Sequence, residues 1–467
     1  MTFRLKPTQV AAIVLGFGIA SCAQALDLTQ TWQATLAHDP QIAVSQAARL
    51  AGSTKKQQAA ALWRPSVVLS ASAGATSADS STTGANFSAP GFPTSNGVEF
   101  NTSVTNGSST RWTLAAKQPL LSAERSAQSK QLEIASSVSE LEWQSAQADL
   151  ILRTVQRYFD LLLATRKLEI LRQQKNSVDQ AWVEAKDRFA LGDKPITDTH
   201  EALARAMVLQ AQVLAAQNDQ EMAQTVLAQS TGLNPSELRP MEPPAALQFT
   251  EKNTIDILIS QALDNNPLLR MQAGQVQVAQ QEVAKFSALG SSTLDVVAQA
   301  GQDRLTGSGD FGSASNTSNQ RMIGLQWTMP LYAGGYRSAR QEEALRLEEK
   351  ARAELERSRQ HISQQTRGTW LALQTGPVRL AALNAAHQAS LARLDATRLG
   401  RQVGDRTTLD LLQAQNDASS AELALVQARS ELILSRLQMD AWLGKLDAAH
   451  LESVNALFKT GGKTMKP

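Results

Sequence analysis

The chain has 467 residues, of which 42% are hydrophobic, 5% aromatic and 19% charged, with 45 basic against 43 acidic side chains. Mean hydropathy is −0.24, and no apolar run approaches the ~20 residues of a membrane-spanning helix, which excludes a polytopic helical membrane protein. The near-balanced charge argues against a nucleic-acid partner, while one cysteine and five scattered histidines exclude a disulfide framework or zinc site and give no reason to expect a cofactor.

At the front, Arg4 and Lys6 precede an apolar stretch from Val10 to Ala20 and the small-x-small sequence Ala23-Gln24-Ala25. This is the layout of a secretory signal peptide over residues 1–25. The segment carries two bases and no acid, so the chain from Leu26 onward has 43 basic and 43 acidic side chains. Ile19-Ala20-Ser21-Cys22 also resembles a lipoprotein box, in which Cys22 would be acylated. The alternative is that Cys22 is a small residue in a discarded peptide. Either way the chain is exported.

From there one order of elements is written twice, over about 26–253 and 254–450. Gly192 and Gly232 recur 212 residues later as Gly404 and Gly444. A short helix ends at Asp39 or Asn266, and each of these caps a second helix opening on Pro40 or Pro267. Strand-like stretches follow at about 66–75 and 109–118 in the first half, and 293–301 and 321–330 in the second. Long helices are expected over about 122–191 and 195–231, then 336–400 and 405–443, with tight turns at Gly192 and Gly404. The first has no Gly or Pro across 70 residues, about 105 Å of helix, a length that needs coiled-coil support. Leu411, Ala414, Ala418, Ala421, Leu425 and Ala428 form one apolar stripe on the last helix, and Leu423, Val426, Ile433 and Leu437 a second. Two stripes mean two neighbours, as in a ring of helices. Gly376-Pro377 is expected to break and kink the third long helix. Residues 451–467 read as a disordered tail.

The strands alternate with period two. Val67, Leu69, Ala71 and Ala73, then Trp112, Leu114 and Ala116, then Leu294, Val296, Ala298 and Ala300, then Ile323, Leu325, Trp327 and Met329 each point one way. Each stretch is about ten residues, the span of a tilted strand across a bilayer. The competing arrangement is a pair of hairpins that pack these faces together in water. Four strands cannot close a barrel, and open edges are not tolerated in lipid, so several chains must share one. Three chains would give twelve strands.

RFALGDKPITDTHEALA (188–204), MPLYAGGYRSA (329–339), the run from Val403 to Gly444 and LDLTQTWQATLAHDPQI (26–42) together resemble the TolC family of outer-membrane efflux and secretion ducts. The resemblance covers nearly all of the chain after residue 25. It implies a mainly α fold with a small β part: a homotrimer in which four strands per chain build a twelve-stranded barrel in outer-membrane lipid, continued by an α-helical barrel through the periplasm. It also implies a periplasmic membrane fusion protein and an inner-membrane ABC transporter, or an RND pump, as partners. The closed tip would lie at the turns of Gly192 and Gly404. Asp410 falls on the family's first acidic ring position, Arg406 on a basic lock position and Asp198 on the first-half acidic partner. Gln413 stands where a second acid is common, and Arg401 where an aromatic lock residue occurs, so Arg401 would partly offset the Asp410 charge. The chain start resembles ducts of type I protein secretion. Multidrug efflux is the alternative, and a pore-less periplasmic scaffold or adaptor is the rival from another class. No nucleophile elbow, HExxH, P-loop or paired-carboxylate motif argues for an enzyme.

Overall fold

The computed structural model describes residues 26–193, 195–244, 247, 253–286, 292–310 and 312–461. The signal segment with Cys22, and the chain beyond residue 461, lie outside the described residues. Nine α-helices and four strands occur among the described residues, besides a short 3-10 turn at Pro235–Glu237: α1 (Leu28–His38), α2 (Pro40–Ala61), β1 (Ser66–Phe87), β2 (Ser95–Ser122), α3 (Ala123–Ala190), α4 (Ile196–Thr231), α5 (Ile255–Asn265), α6 (Pro267–Phe286), β3 (Thr293–Gly309), β4 (Gly312–Thr328), α7 (Tyr336–Gln402), α8 (Thr408–Trp442) and α9 (Ala448–Gly461). The order α-α-β-β-α-α thus occurs twice, followed by α9. No described helix is long and apolar enough to cross a membrane.

The chain divides into two compact units, formed by the described parts of 43–146 with 256–365 and of 1–42 with 147–255 and 366–467. In the first, the strands form one antiparallel sheet in the order β1-β2-β3-β4. Its helices hold together through small residues and side-chain to backbone bonds. Arg49 pairs with Glu140 at 2.7 Å across α2 and α3, and Gln131 on α3 donates to Val278 O and Glu282 on α6 at 3.0 and 2.9 Å. At Gly52 the approach of α2 to α3 is so close that an added Cβ would overlap Ser139 Cβ and Oγ. Gly52→Ala should therefore be destabilising. Helix propensity favours Ala by ~1 kcal/mol, but overpacking costs ~1–3 kcal/mol, and Ser139 Cβ cannot rotate away. Thermal unfolding of Gly52→Ala, with partial rescue by Ser139→Gly, checks this; a raised melting temperature in the single variant would contradict it.

In the second unit, α3 packs against α4 and α8. Buried Leu168 meets Val213 and Ala216, while Leu161 meets Leu227 and Leu238. Tyr158 is fully buried; its hydroxyl donates to Leu26 O at 3.0 Å and accepts from Met241 N at 2.6 Å. Burial pushes its ionisation well above the usual phenol range. Both stripes of α8 are used: Ala414, Ala418, Leu425 and Ala428 are buried, and so are Val426, Ile433 and Leu437.

Three expectations are corrected. The strands are not about ten residues long but 22, 28, 17 and 17, because the Ser/Thr/Gly/Asn-rich stretches continue the ladder beyond the apolar part. The tail expected to be disordered forms α9 to Gly461. Its Leu451, Val454, Asn455 and Phe458 are buried, with Asn455 Oδ1 accepting from Leu28 N at 3.2 Å and Phe458 stacked on Phe159. Gly376-Pro377 does not break α7, which is helical throughout with Pro377 inside it. Gly376 instead admits α8, since a Cβ there would stand 2.6 Å from Leu432 Cδ1.

Candidate functional site

Two regions carry the functional reading, the sheet in one unit and the helical turns in the other. In the sheet, the register aligns the alternating residues into rows: Val67, Ala116, Ala298 and Ile323 form one, and Leu69, Leu114, Ala300 and Arg321 the next. All the apolar alternations of the four strands thereby fall on a single face. Opposite partners share a face of an antiparallel pair, so this holds without reference to side-chain rotamers. Val67, Leu69, Ile323, Leu325 and Trp327 are 62–80% exposed, which is incompatible with two hairpins closing their apolar faces together in water. The apolar band runs from the row of Leu294 and Trp327 to the row of Trp112 and Gln302, about 27 Å along β3. That is the scale of a membrane barrel's ~25 Å apolar belt, and a tryptophan sits at each rim as in an aromatic girdle.

The opposite face is mixed, with Ser70, Thr113, Gln299 and Gln320 beside Val68, Val297 and Met322, and its basic side chains are paired with acids. Arg111 is bonded to Asp303 directly across from it, and Lys117 Nζ lies 2.8 Å from buried Asp295. Beyond Asn106, β2 leaves β3 and continues with β1 alone, ending near the Phe87–Phe100 ring pair.

The turns at Gly192 and Gly404 end their helices in the same way. Gly192, at φ +77°, and Gly404, at φ +83°, occupy the left-handed position that ends α3 and α7. Asp193 N donates to Arg188 O and Gly192 N to Phe189 O, both at 2.9 Å. Asp405 N donates to Gly400 O and Gly404 N to Arg401 O, at 2.9 and 3.1 Å. This is the Schellman arrangement, which satisfies the last carbonyls of each helix and needs a residue without Cβ strain.

After the second turn, Thr407 and Asp410 close a capping box at the start of α8: Asp410 N donates to Thr407 Oγ1 at 3.1 Å, and Thr407 N to Asp410 Oδ2 at 2.9 Å. These bonds from Thr407, first from its backbone N–H and then from its hydroxyl, hold the Asp410 carboxyl below the usual carboxylate range, and nearby Arg406 and Arg393 lower it further. Gln413 Nε2 donates to Asp417 Oδ1 at 2.8 Å, and Arg393 of α7 reaches the other oxygen of Asp417 at 2.8 Å. Arg406 folds back beside Gly400 and lies 3.7 Å from the Asp405 carboxylate. Asp198 is exposed in the first turn of α4, and among the described residues no ion pair joins it to the α7–α8 group.

Arg401 behaves differently from the expectation that it offsets Asp410. Its guanidinium is bonded to Glu184 on α3, which also takes Arg188 at 2.8 Å. The Arg401 charge is thus met by Glu184, a carboxylate it shares with Arg188. Glu184, Arg188, Arg393 and Asp417 are the residues that sequence reasoning missed. Only the i,i+4 spacing of Glu184 and Arg188 could have drawn attention to one pair; the links between α3 and α7 and between α7 and α8 join residues far apart in the chain. Next to this cluster, Gln174, Arg205, Gln212, Gln413 and Asn416 line a groove of about 330 Å³ among α3, α4 and α8.

The family model described as outer membrane efflux protein matches residues 31–233 and 258–445, one match for each half. Over 355 residues the chain is 28% identical to alkaline protease secretion protein AprF of Pseudomonas aeruginosa, covering 75% of this chain and 72% of that one. Over 471 residues it is 26% identical to outer membrane protein TolC of Escherichia coli, covering 97% and 88%. Among solved structures, the Campylobacter jejuni CmeC outer membrane channel superposes with a TM-score of 0.70 at 16% identity, covering 94% of this chain and 90% of that one.

Proposed function

The chain belongs to the outer membrane efflux protein family, and on that premise we propose that it is the exit duct of a tripartite export system serving type I protein secretion. Membership makes it a non-enzymatic transport channel of the outer membrane with a periplasmic extension. The finer reading is a homotrimer whose twelve strands close one barrel and whose helical turns form an iris at the periplasmic end. A membrane fusion protein and an inner-membrane ABC transporter would engage that end. The observation that carries it is the one-faced apolar band of a four-stranded sheet whose two edges, β1 and β4, have no partner strand among the described residues. Such a sheet cannot rest in lipid until copies of itself satisfy those edges. Similarity to a protein named for alkaline protease secretion supports protein cargo.

Cargo is tested by supplying the chain to cells that have a protease-exporting ABC transporter and fusion protein but lack their outer-membrane component. Protease should appear in the medium. Restored drug resistance without secreted protease would favour the efflux alternative.

Asp410 is proposed to supply the negative charge of the constriction. Asp410→Asn should lower the cation over anion permeability ratio of the reconstituted pore, while the amide oxygen preserves an acceptor for the cap. Because the Asp410 carboxyl titrates below its ordinary value of ~3.9, wild-type selectivity should hold through mildly acidic pH. It should disappear only as pH falls through that lowered value, with any cap stability linked to the charge lost in the same window. An unchanged permeability ratio in Asp410→Asn would remove Asp410 from the constriction.

A further inference from the structure

The four strands carry only four basic side chains: Arg111 and Lys117 on β2, Arg304 on β3 and Arg321 on β4. The two on the mixed face each have an aspartate, Asp303 and Asp295. The other two lie on the apolar face. Arg304 sits opposite Thr110 and Thr317, and Arg321 opposite Ala300, in the same alternation as Trp112, Leu325 and Trp327. Both are exposed, and among the described residues neither has an ion-pair partner. The acids of the outer hairpin, Asp79 and Glu99, lie on β1 and β2 beyond the part paired with β3, and Glu99 accepts from Ser81 at 3.0 Å.

Their height on the sheet gives this meaning. The strand ends at Ser66, Ser122, Thr293 and Thr328 lead toward the helices, so in an outer-membrane channel with a periplasmic extension they face the periplasm. The hairpin ends then face outward. Arg304 is one row beyond the Trp112–Gln302 rim and Arg321 one row inside it. A guanidinium on its apolar stem reaches about one row up or down, which brings both charges to the outer boundary of the apolar band. A lipid-facing cation at that boundary is tolerated at little cost, it lies at the level of lipid headgroups, and an arginine fork fits phosphate oxygens. Register places the two Cα positions about 14 Å apart, enough to grip two phosphates of one headgroup.

We propose that Arg304 and Arg321 form an outward-facing site for a diphosphorylated glycolipid of the outer leaflet. The inference rests on the reading of the sheet as membrane-spanning. Wild type and the Arg304→Gln/Arg321→Gln variant, extracted from outer membranes into one uncharged detergent, would be titrated with purified diphosphorylated lipid A and with the same lipid after phosphatase treatment, and bound lipid read by native mass spectrometry. The variant should bind the diphosphorylated lipid about ten-fold more weakly, a loss of ~1.4 kcal/mol, and the dephosphorylated lipid should bind poorly to both. Equal binding by the two proteins, or undiminished binding of the dephosphorylated lipid to wild type, would overturn the assignment. Failure of the wild type itself to reside in outer membranes would instead overturn the membrane-spanning reading.

Discussion

Ile323→Arg is expected to keep the protein out of the outer membrane, whereas Met322→Arg, one residue away, should leave assembly intact. Ile323 lies in the row of Val67, Ala116 and Ala298, midway between the tryptophan rims, and is 80% exposed in the single chain. Arginine at the midplane of a lipid-facing strand costs ~2–4 kcal/mol. Three copies in one barrel raise that to about 6–12 kcal/mol, as large as the whole stability of a typical domain. Met322 faces the other way, opposite Gln299 and in the alternation of Gln320 and Gln326, where an arginine remains hydrated by the lumen. The amount of each variant recovered in purified outer membranes measures the difference. A reversed pattern would mean that the sheet is inside out.

A second large effect is expected at Glu184, where one carboxylate holds two arginines from two helices. Glu184→Gln keeps the shape but frees Arg188 and Arg401. Each half-exposed pair is worth at most ~1 kcal/mol, which would be nearly invisible in the stability of one chain. The Arg188 pair lies within α3 and only the Arg401 pair joins two helices, so if three chains open together about 3 kcal/mol is released, and the ratio of open to closed ends rises roughly a hundredfold. Single-channel recording at low salt should show more frequent open states, with the effect shrinking as salt screens the pairs. Arg401→Gln should reproduce part of it, and the double variant should not add the two. Unaltered gating in Glu184→Gln would mean that the α3–α7 pairing only decorates the turns.

The parts of the fold that a reader of the sequence can recover are those set by local periodicity. The i,i+3/i+4 stripes of α8, the alternating apolar residues of the four strands and the glycines that end α3 and α7 each follow from the geometry of a single element. The outer ends of β1 and β2 are different. Ser77, Thr83 or Asn101 has no burial to report, and such residues read as loop until a partner strand supplies the ladder. Leu451, Val454 and Phe458 did carry a helical pattern, but it was short and lay beside a glycine- and lysine-rich end, and its meaning comes from Phe159 and the residues near Asp27. Pro377 shows the reverse error. A local breaker is outvoted where Gly376 lets α8 approach and helix packing keeps α7 helical through it. Around the turn of Gly404, the Asp410 cap follows from its neighbours in sequence, while the partner of Arg401 lies 217 residues away and only the fold brings the two together.

A duct of this kind requires each chain to supply four strands of a shared barrel. The mass of the particle extracted with detergent from purified outer membranes, corrected for bound detergent, tests it most directly. A particle of three chains is the result expected. A monomeric particle would leave β1 and β4 unpaired in lipid and contradict the duct.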